Sequence, residues 1–217
     1  MQSESGKNDR IEKDNRLDIA NIKEKWHNKI PGRIDGERYK DAAVLVPIME
    51  KKGELHLLLE IRTDTLKTQP GEICFPGGTI ESLESPREAA MRETREELLV
   101  QETQLEVLAQ LDLLITPSGM IVYPFLAELK NYEGTFSKDE VGEMITIPLS
   151  YFVKHPPERY STKVVTVPDS DFPYDRIPGG EDYKWRQGRY DVLFYRYGEH
   201  VIWGMTAKIL HSFISHL

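Results

Sequence analysis

From Gly78 to Val100 the chain reads GTIESLESPREAAMRETREELLV, and this stretch fixes where one helix begins and which side chains share a face of it. Ser85 stands as the N-cap, Pro86 takes the first helical position, where its missing N–H is harmless, and Glu88 follows the cap by three residues to close a capping box. On the helix that follows, Glu93, Glu96 and Glu97 fall at i, i+3 and i+4 and lie side by side. Like charges at that spacing repel one another. The face is therefore either solvated and laced to Arg87, Arg92 and Arg95, or built to receive a cation. A hard divalent ion such as Mg²⁺ prefers carboxylate oxygens, keeps several waters and is completed by substrate phosphates. Gly77 and Gly78, just ahead of the helix, let the backbone come close enough for a carbonyl or N–H to join such a site.

The whole spacing resembles the Nudix box: glycine, five residues, Glu, seven residues, Arg-Glu, an apolar residue, any residue, Glu-Glu, any residue, glycine and an apolar residue. Gly78, Glu84, Arg92, Glu93, Glu96 and Glu97 fill its first glycine and all its charged positions. Thr94 stands where an aliphatic residue is usual, and Leu99 stands where the pattern has glycine, a residue suited to the left-handed end of a helix. Upstream, Leu58-Leu59-Glu60-Ile61-Arg62-Thr63, Lys67, Gly71 and Phe75-Pro76-Gly77-Gly78 are similar to the added signature of Nudix coenzyme A diphosphatases. Three positions depart from it, with Glu60 for Thr, Thr63 for Ser or Ala, and Lys67 for Arg. Lys67 keeps the charge but not the planar fork that grips a phosphate at two points. The segments Ile115–Gly119, Asp139–Glu143, Ile147–Ser150 and Ile202–Ala207 are similar to this subfamily as well, so the resemblance runs from about Ala42 to the C-terminus.

That resemblance implies an α/β fold, the Nudix α/β/α sandwich with a mixed sheet, and a cofactor that is Mg²⁺ or Mn²⁺. It implies a small-molecule nucleotide substrate, coenzyme A or an acyl derivative, cleaved to adenosine 3′,5′-bisphosphate and 4′-phosphopantetheine. The metal ligands would be Gly77, Glu93, Glu96 and Glu97; the catalytic carboxylates Glu93, Glu96 and Glu143; the substrate cations Arg62 and Lys67; and Gly78, Glu84 and Arg92 would support the site. Glu84 is expected as the partner of Arg92. Between Glu140 and Glu143 the reading leans to Glu143 as a further ligand or base, against ordinary acid charge at a helix start. Two alternatives stand beside this reading: a Nudix hydrolase of ADP-ribose, dinucleotides or nucleotide sugars, and a Nudix-like binding module without turnover. The three retained helix glutamates argue against the second.

Composition bounds the rest. With 217 residues the chain is one core plus an appended segment, and a formal charge of -8 argues against a general nucleic-acid binder, which needs a basic surface. An anionic substrate is then drawn by local charge. The single cysteine, Cys74, excludes an internal disulfide and a multi-cysteine zinc site, and beside Phe75 it reads as a buried thiol. The longest apolar run, Ala42–Met49, is broken by Pro47 and too short to span a bilayer, and the N-terminus has no apolar signal region; no membrane partner and a cytoplasmic location are expected. Self-association is not fixed by the sequence, a homodimer included.

Along the chain, residues 1–40 read as a polar tail followed by one short helix, with Ile19, Ile22, Trp26 and Ile30 at helical spacing before Pro31-Gly32 stops it. Residues 41–217 form the expected catalytic domain. There Ala42–Met49 and Glu54–Arg62 flank Lys51-Lys52-Gly53 as a hairpin, and Leu105–Leu114 and Met120–Lys130 are strands around the turn residues Thr116-Pro117-Ser118-Gly119. Asp169–Gly188, dense in Pro, Gly, Asp and Tyr, reads as a binding loop or a poorly ordered one. Trp203–Leu217 closes the chain as an amphipathic helix with Ile209, Leu210, Phe213, Ile214 and Leu217 inward.

Overall fold

The computed structural model describes residues 18–217, which fall into two compact units, one ending at Arg38 and the other spanning Tyr39–Leu217. The first holds helix α1 (Ile19–His27), capped by Asp18, whose Oδ1 accepts from the N–H groups of Ala20 and Asn21 at 3.0 Å each. Its apolar stripe, Ile19, Ile22 and Trp26, is exposed. The tail expected ahead of it, residues 1–17, lies outside the described residues.

The second unit begins with a hairpin of β1 (Lys40–Lys51) and β2 (Glu54–Arg62), whose two-residue turn places both Lys52 and Gly53 at positive φ, the geometry that matches strand twist. Two short strands follow, β3 (Ile73–Cys74) and β4 (Gly77–Thr79), and then helix α2 (Pro86–Leu98). Strands β5 (Leu105–Gln110), β6 (Leu114–Ile115), β7 (Met120–Leu129) and β8 (Val141–Pro148) complete a sheet of order β3-β2-β1-β7-β5, with β4 on β1, β6 on β7 and β8 on β2. It is mixed, because β1 runs parallel to β7 while its other pairings are antiparallel. Helix α3 (Leu149–Lys154), strands β9 (Glu158–Val164), β10 (Gly188–Tyr197) and β11 (His200–Trp203), and helix α4 (Gly204–Ile214) form the rest.

Leu57, Leu58 and Leu59 are all fully buried, which in an alternating strand requires cover on both faces of the sheet. On one face α2 packs Ala89, Ala90 and Leu98 against Ala43, Leu45, Leu58 and Phe125. On the other, α3, α4 and the separate sheet β11-β10-β9 enclose Leu57, Leu59, Ile147, Leu193, Ile202 and Leu210. Helix α4 buries Ile209, Leu210 and Phe213, with Ile214 partly covered; Leu217, expected inward, lies past the helix end and is 69% exposed. The helix stops one turn short, so its apolar stripe does not reach that residue.

One pairing detail positions the site. Along β1, Ile48–Lys51 pair with β2 and Ala42–Val44 pair with β4, so β2 and β4 diverge, and β3 leaves with β2 through Glu60 opposite Cys74. The sheet is opened there, under the N-terminal strand of the helix-bearing loop.

Candidate active site

Helix α2 starts as its sequence dictates: Ser85 Oγ accepts from the Glu88 N–H at 3.3 Å, and Glu88 Oε2 accepts from the Ser85 N–H at 2.8 Å. It ends with Leu99 in the left-handed region, φ 53° and ψ 43°, a conformation that costs a non-glycine residue on the order of 1 kcal/mol. Thr94, in place of the aliphatic residue, is fully buried and its hydroxyl has no partner.

Arg92 braces the loop to the helix. Its Nε donates to Glu84 Oε1 at 2.9 Å and its Nη2 to Glu84 Oε2 at 3.1 Å, a two-point grip, while Nη1 donates to Glu93 Oε1 at 2.9 Å and to Glu96 Oε2 at 3.4 Å. The hydrogen bond from Arg92 holds the Glu84 carboxyl below its ordinary value.

Glu97 is almost completely buried and points at the β3–β4 segment, where the Gly77 N–H donates to its Oε2 at 2.8 Å. Glu93 lies against Gly78: a Cβ at that glycine would stand 2.5 Å from the Glu93 carboxyl, so a side chain there would displace Glu93. Gly77 has φ 148° and packs on the Ala43 carbonyl, which also excludes a side chain. Burial raises the Glu93 and Glu97 carboxyls above their ordinary values, against the Arg92 hydrogen bond in the first case, and with the charge of Glu60 adding to the effect in the second.

Glu60, on β2, is the residue that the motif reading passed over. It is buried at 1% exposure, accepts from the Cys74 thiol at 3.2 Å through Oε1, and leaves Oε2 without a partner among the described residues. Burial, first, pushes its carboxyl up. The signal was present in the sequence: a lone acid inside the run Leu57-Leu58-Leu59-Glu60-Ile61, which otherwise reads as a strand buried on both faces.

Beside Glu93 and Glu97 opens a cavity of about 700 Å³ whose lining is chemically mixed. Its charged members include Glu93, Glu97, Glu140, Arg62 and Lys40, with Glu60 not among them, and its apolar ones include Met120, Val122, Met205 and Ile209, the last two from α4. The structure thus brings together Gly77, Gly78, Glu93, Glu97 and Arg62, whose Nε is buried without a partner. It does not bring in every expected residue. Lys67 is exposed on the β2–β3 loop, and its neighbours Thr68 and Gln69 line the cavity instead. Glu96 is mostly exposed at the rim of the helix. Glu143 pairs opposite Ile61, so its side chain shares the sheet face of Ile61, away from Glu60 and Arg62, and Glu140 is the acid of that pair at the cavity.

The donor set suits a hard divalent cation: buried carboxylates without a neutralising lysine or arginine contact on Glu97, an orphaned carboxylate oxygen on Glu60, and a glycine cradle that keeps Glu93 in place. Among the described residues no three acidic, histidine or cysteine side chains form a ready cage. Mg²⁺ is commonly held in just that way, by one or two carboxylates with waters and substrate phosphates making up the rest.

Comparison with known proteins agrees with this geometry. The NUDIX domain matches residues 39–160, and the chain belongs to the Nudix hydrolase family. It is similar to the peroxisomal coenzyme A diphosphatase NUDT7 of Mus musculus, 36% identical over 132 residues that cover 60% of this chain and 55% of that protein, so the chain spans about half the length of that relative. An uncharacterized Nudix hydrolase, NudL of Photorhabdus laumondii, is 31% identical over 184 residues, covering 84% of this chain and 87% of NudL. A crystal structure of a MutT/nudix family protein from Enterococcus faecalis has the same fold, with a TM-score of 0.52 over 98% of this chain and 74% of that one at 15% identity. Among the described residues no helix is long and apolar enough to cross a membrane.

Proposed function

We propose that this protein hydrolyses the diphosphate of coenzyme A or an acyl derivative, yielding adenosine 3′,5′-bisphosphate and the (acyl-)4′-phosphopantetheine, with Mg²⁺ or Mn²⁺ as cofactor. The observation that carries this reading is a single cavity lined both by the acids Glu93 and Glu97 and by the apolar Met120, Val122, Met205 and Ile209, because the substrate itself joins a diphosphate to a long uncharged arm. The coenzyme A signature around Arg62 and the likeness to the mouse diphosphatase over its shared part support the same choice.

In this reading Glu93 and Glu97 would hold the cation with the backbone at Gly77 beside them, and Glu96, more exposed on the same helix face, would be a further ligand or base. A bound divalent ion offsets charge on the diphosphate and lowers the pKa of a coordinated water. Arg62 directs its unpartnered Nε toward the nucleotide phosphates. Arg92 positions Glu93 rather than touching substrate, and a cavity acid accepts the proton from the attacking water; Glu140 has the better placement and Glu143 the poorer one.

A second reading has one observation in its favour. Lys67, the other cation of the coenzyme A signature, stands outside the cavity, so a nucleoside diphosphate derivative without a 3′-phosphate, such as ADP-ribose, is the rival. Product release from coenzyme A, dephospho-coenzyme A, ADP-ribose and NADH, each with and without Mn²⁺, separates them. The proposal expects coenzyme A to have the highest kcat/KM; a preference for ADP-ribose overturns it in favour of the rival.

A further inference from the structure

We infer that Glu60 belongs to the cation site, presenting its free carboxylate oxygen from β2 to the hydration shell of the ion held at Glu97. The inference rests on the Nudix cation site and not on the choice of coenzyme A as substrate.

Three observations lead there. Glu60 and Glu97 are each hydrogen-bonded to the same short segment, the former from Cys74 and the latter from Gly77, which lies three residues further along. Both side chains are at most 2% exposed, and Glu60 Oε2 has no partner among the described residues, so a carboxyl group is held in the interior with one oxygen unused. Leaving such an oxygen unpaired is unfavourable unless something arrives to meet it. Finally, the alternation of β2 puts Leu58, Glu60 and Arg62 on the face turned to α2, and Leu58 packs there against Ala89, Ala90 and Leu98. Glu60 therefore faces the helix that carries Glu93 and Glu97. The electrostatics agree: the charge of Glu60 acts on the Glu97 carboxyl, and Glu93, Glu140 and Arg62 act on Glu60.

A neutral residue would fill the same space at lower cost. A cation turns the arrangement from repulsion among acids into shared attraction, with waters spanning the gap that a direct bond would not.

The test is Mn²⁺ binding to the substrate-free protein, read by isothermal titration calorimetry and by the paramagnetic resonance signal of free Mn²⁺. Glu60→Gln is expected to raise the Mn²⁺ Kd about tenfold or more, while its melting temperature in excess chelator stays level or rises, since a buried like charge is gone. Glu97→Gln should weaken binding at least as much, and the double variant by less than the product of the two, because both act on one ion. Unchanged Mn²⁺ affinity in a folded Glu60→Gln protein overturns the inference. If Glu60→Gln does not fold, Glu60→Thr is read by the same criteria; loss of the cation-free fold in both variants overturns it too, by making Glu60 a structural residue. Failure of the substrate panel leaves this result standing, and the reverse also holds.

Discussion

The acidic and the apolar lining of the cavity are made in opposite ways. The acidic lining comes mostly from one continuous stretch, Gly77 to Glu97, in which the capping box, the Arg92 grip on Glu84 and the Gly77 N–H on Glu97 tie neighbouring elements together. The apolar lining is assembled from Met120 and Val122 on β7 and Met205 and Ile209 on α4, which meet only because the sheet and the last helix pack. The acidic lining is thus preset by local chemistry, and the apolar one by the tertiary fold. Two arginines repeat the contrast: Arg92, beside the cavity, is saturated with protein partners, whereas Arg62, in its wall, has a buried Nε with no partner among the described residues. One braces the helix, and the other is the side chain proposed to meet the substrate.

If that division is right, the largest effect follows Glu97→Gln, which keeps shape and removes the charge. Turnover should fall about a thousandfold or more, corresponding to at least ~4 kcal/mol of lost transition-state stabilisation, with an unchanged circular dichroism spectrum. The arginines should then separate by assay. Arg62→Ala is expected to raise KM for coenzyme A with a loss of about 1.5–3 kcal/mol in kcat/KM and little change in melting temperature. Arg92→Ala should instead lower stability by about 1–3 kcal/mol, since it strips the Glu84 carboxylate and one oxygen of half-buried Glu93 of their partner. Matching losses of stability in both variants would erase the distinction between brace and ligand contact.

Without cation, pH should expose the buried acids alone. Glu60 and Glu97 carry folded-state values above the ordinary 4.5, so between that value and the raised ones the folded protein binds more protons than the unfolded chain. Their contribution is present at and below about pH 4.5 and is lost as pH rises through neutrality. In chelator, the melting temperature of Glu97→Gln should therefore decline less than that of the parent between about pH 5.5 and 8, and saturating Mn²⁺ should flatten the parent's curve. A parent curve that rises over this range as steeply without cation as with it would contradict the assignment of these acids. The smallest effect belongs to the helix end. Leu99→Gly relieves a left-handed leucine at the cost of unfolded-chain entropy, so denaturant unfolding should show a gain of about 0.5–1 kcal/mol and no change in turnover.

What could be read from the sequence tracks the same contrast. Ser85-Pro86-Arg87-Glu88 announced the helix because capping is decided within four residues, and the glutamates followed from helical spacing. The hairpin at Lys52-Gly53 was legible for the same reason. The mixed sheet between helices came from the family resemblance, since no spacing tells a parallel β1–β7 pair from an antiparallel one. The separate β9–β11 sheet and the cavity wall from α4 depend on packing between residues far apart in the chain. The sequence does not choose decisively between Glu140 and Glu143, because the choice depends on where β8 begins: Glu143 lies within it opposite Ile61, whereas Glu140 stands just before it and lines the cavity. Glu60 was visible only as a misfit within an apolar strand, and misfits of that kind mark sites as often as motifs do.

The most direct test of the account is the initial rate of coenzyme A hydrolysis, followed as adenosine 3′,5′-bisphosphate released, in saturating Mn²⁺ and again after excess chelator, for the parent and Glu97→Gln. The account predicts rapid release of adenosine 3′,5′-bisphosphate only from the parent with cation, and recovery of the rate when Mn²⁺ is returned. Full turnover in chelator, or a Glu97→Gln rate within a few fold of the parent, would contradict a cation-dependent site built on the buried glutamates.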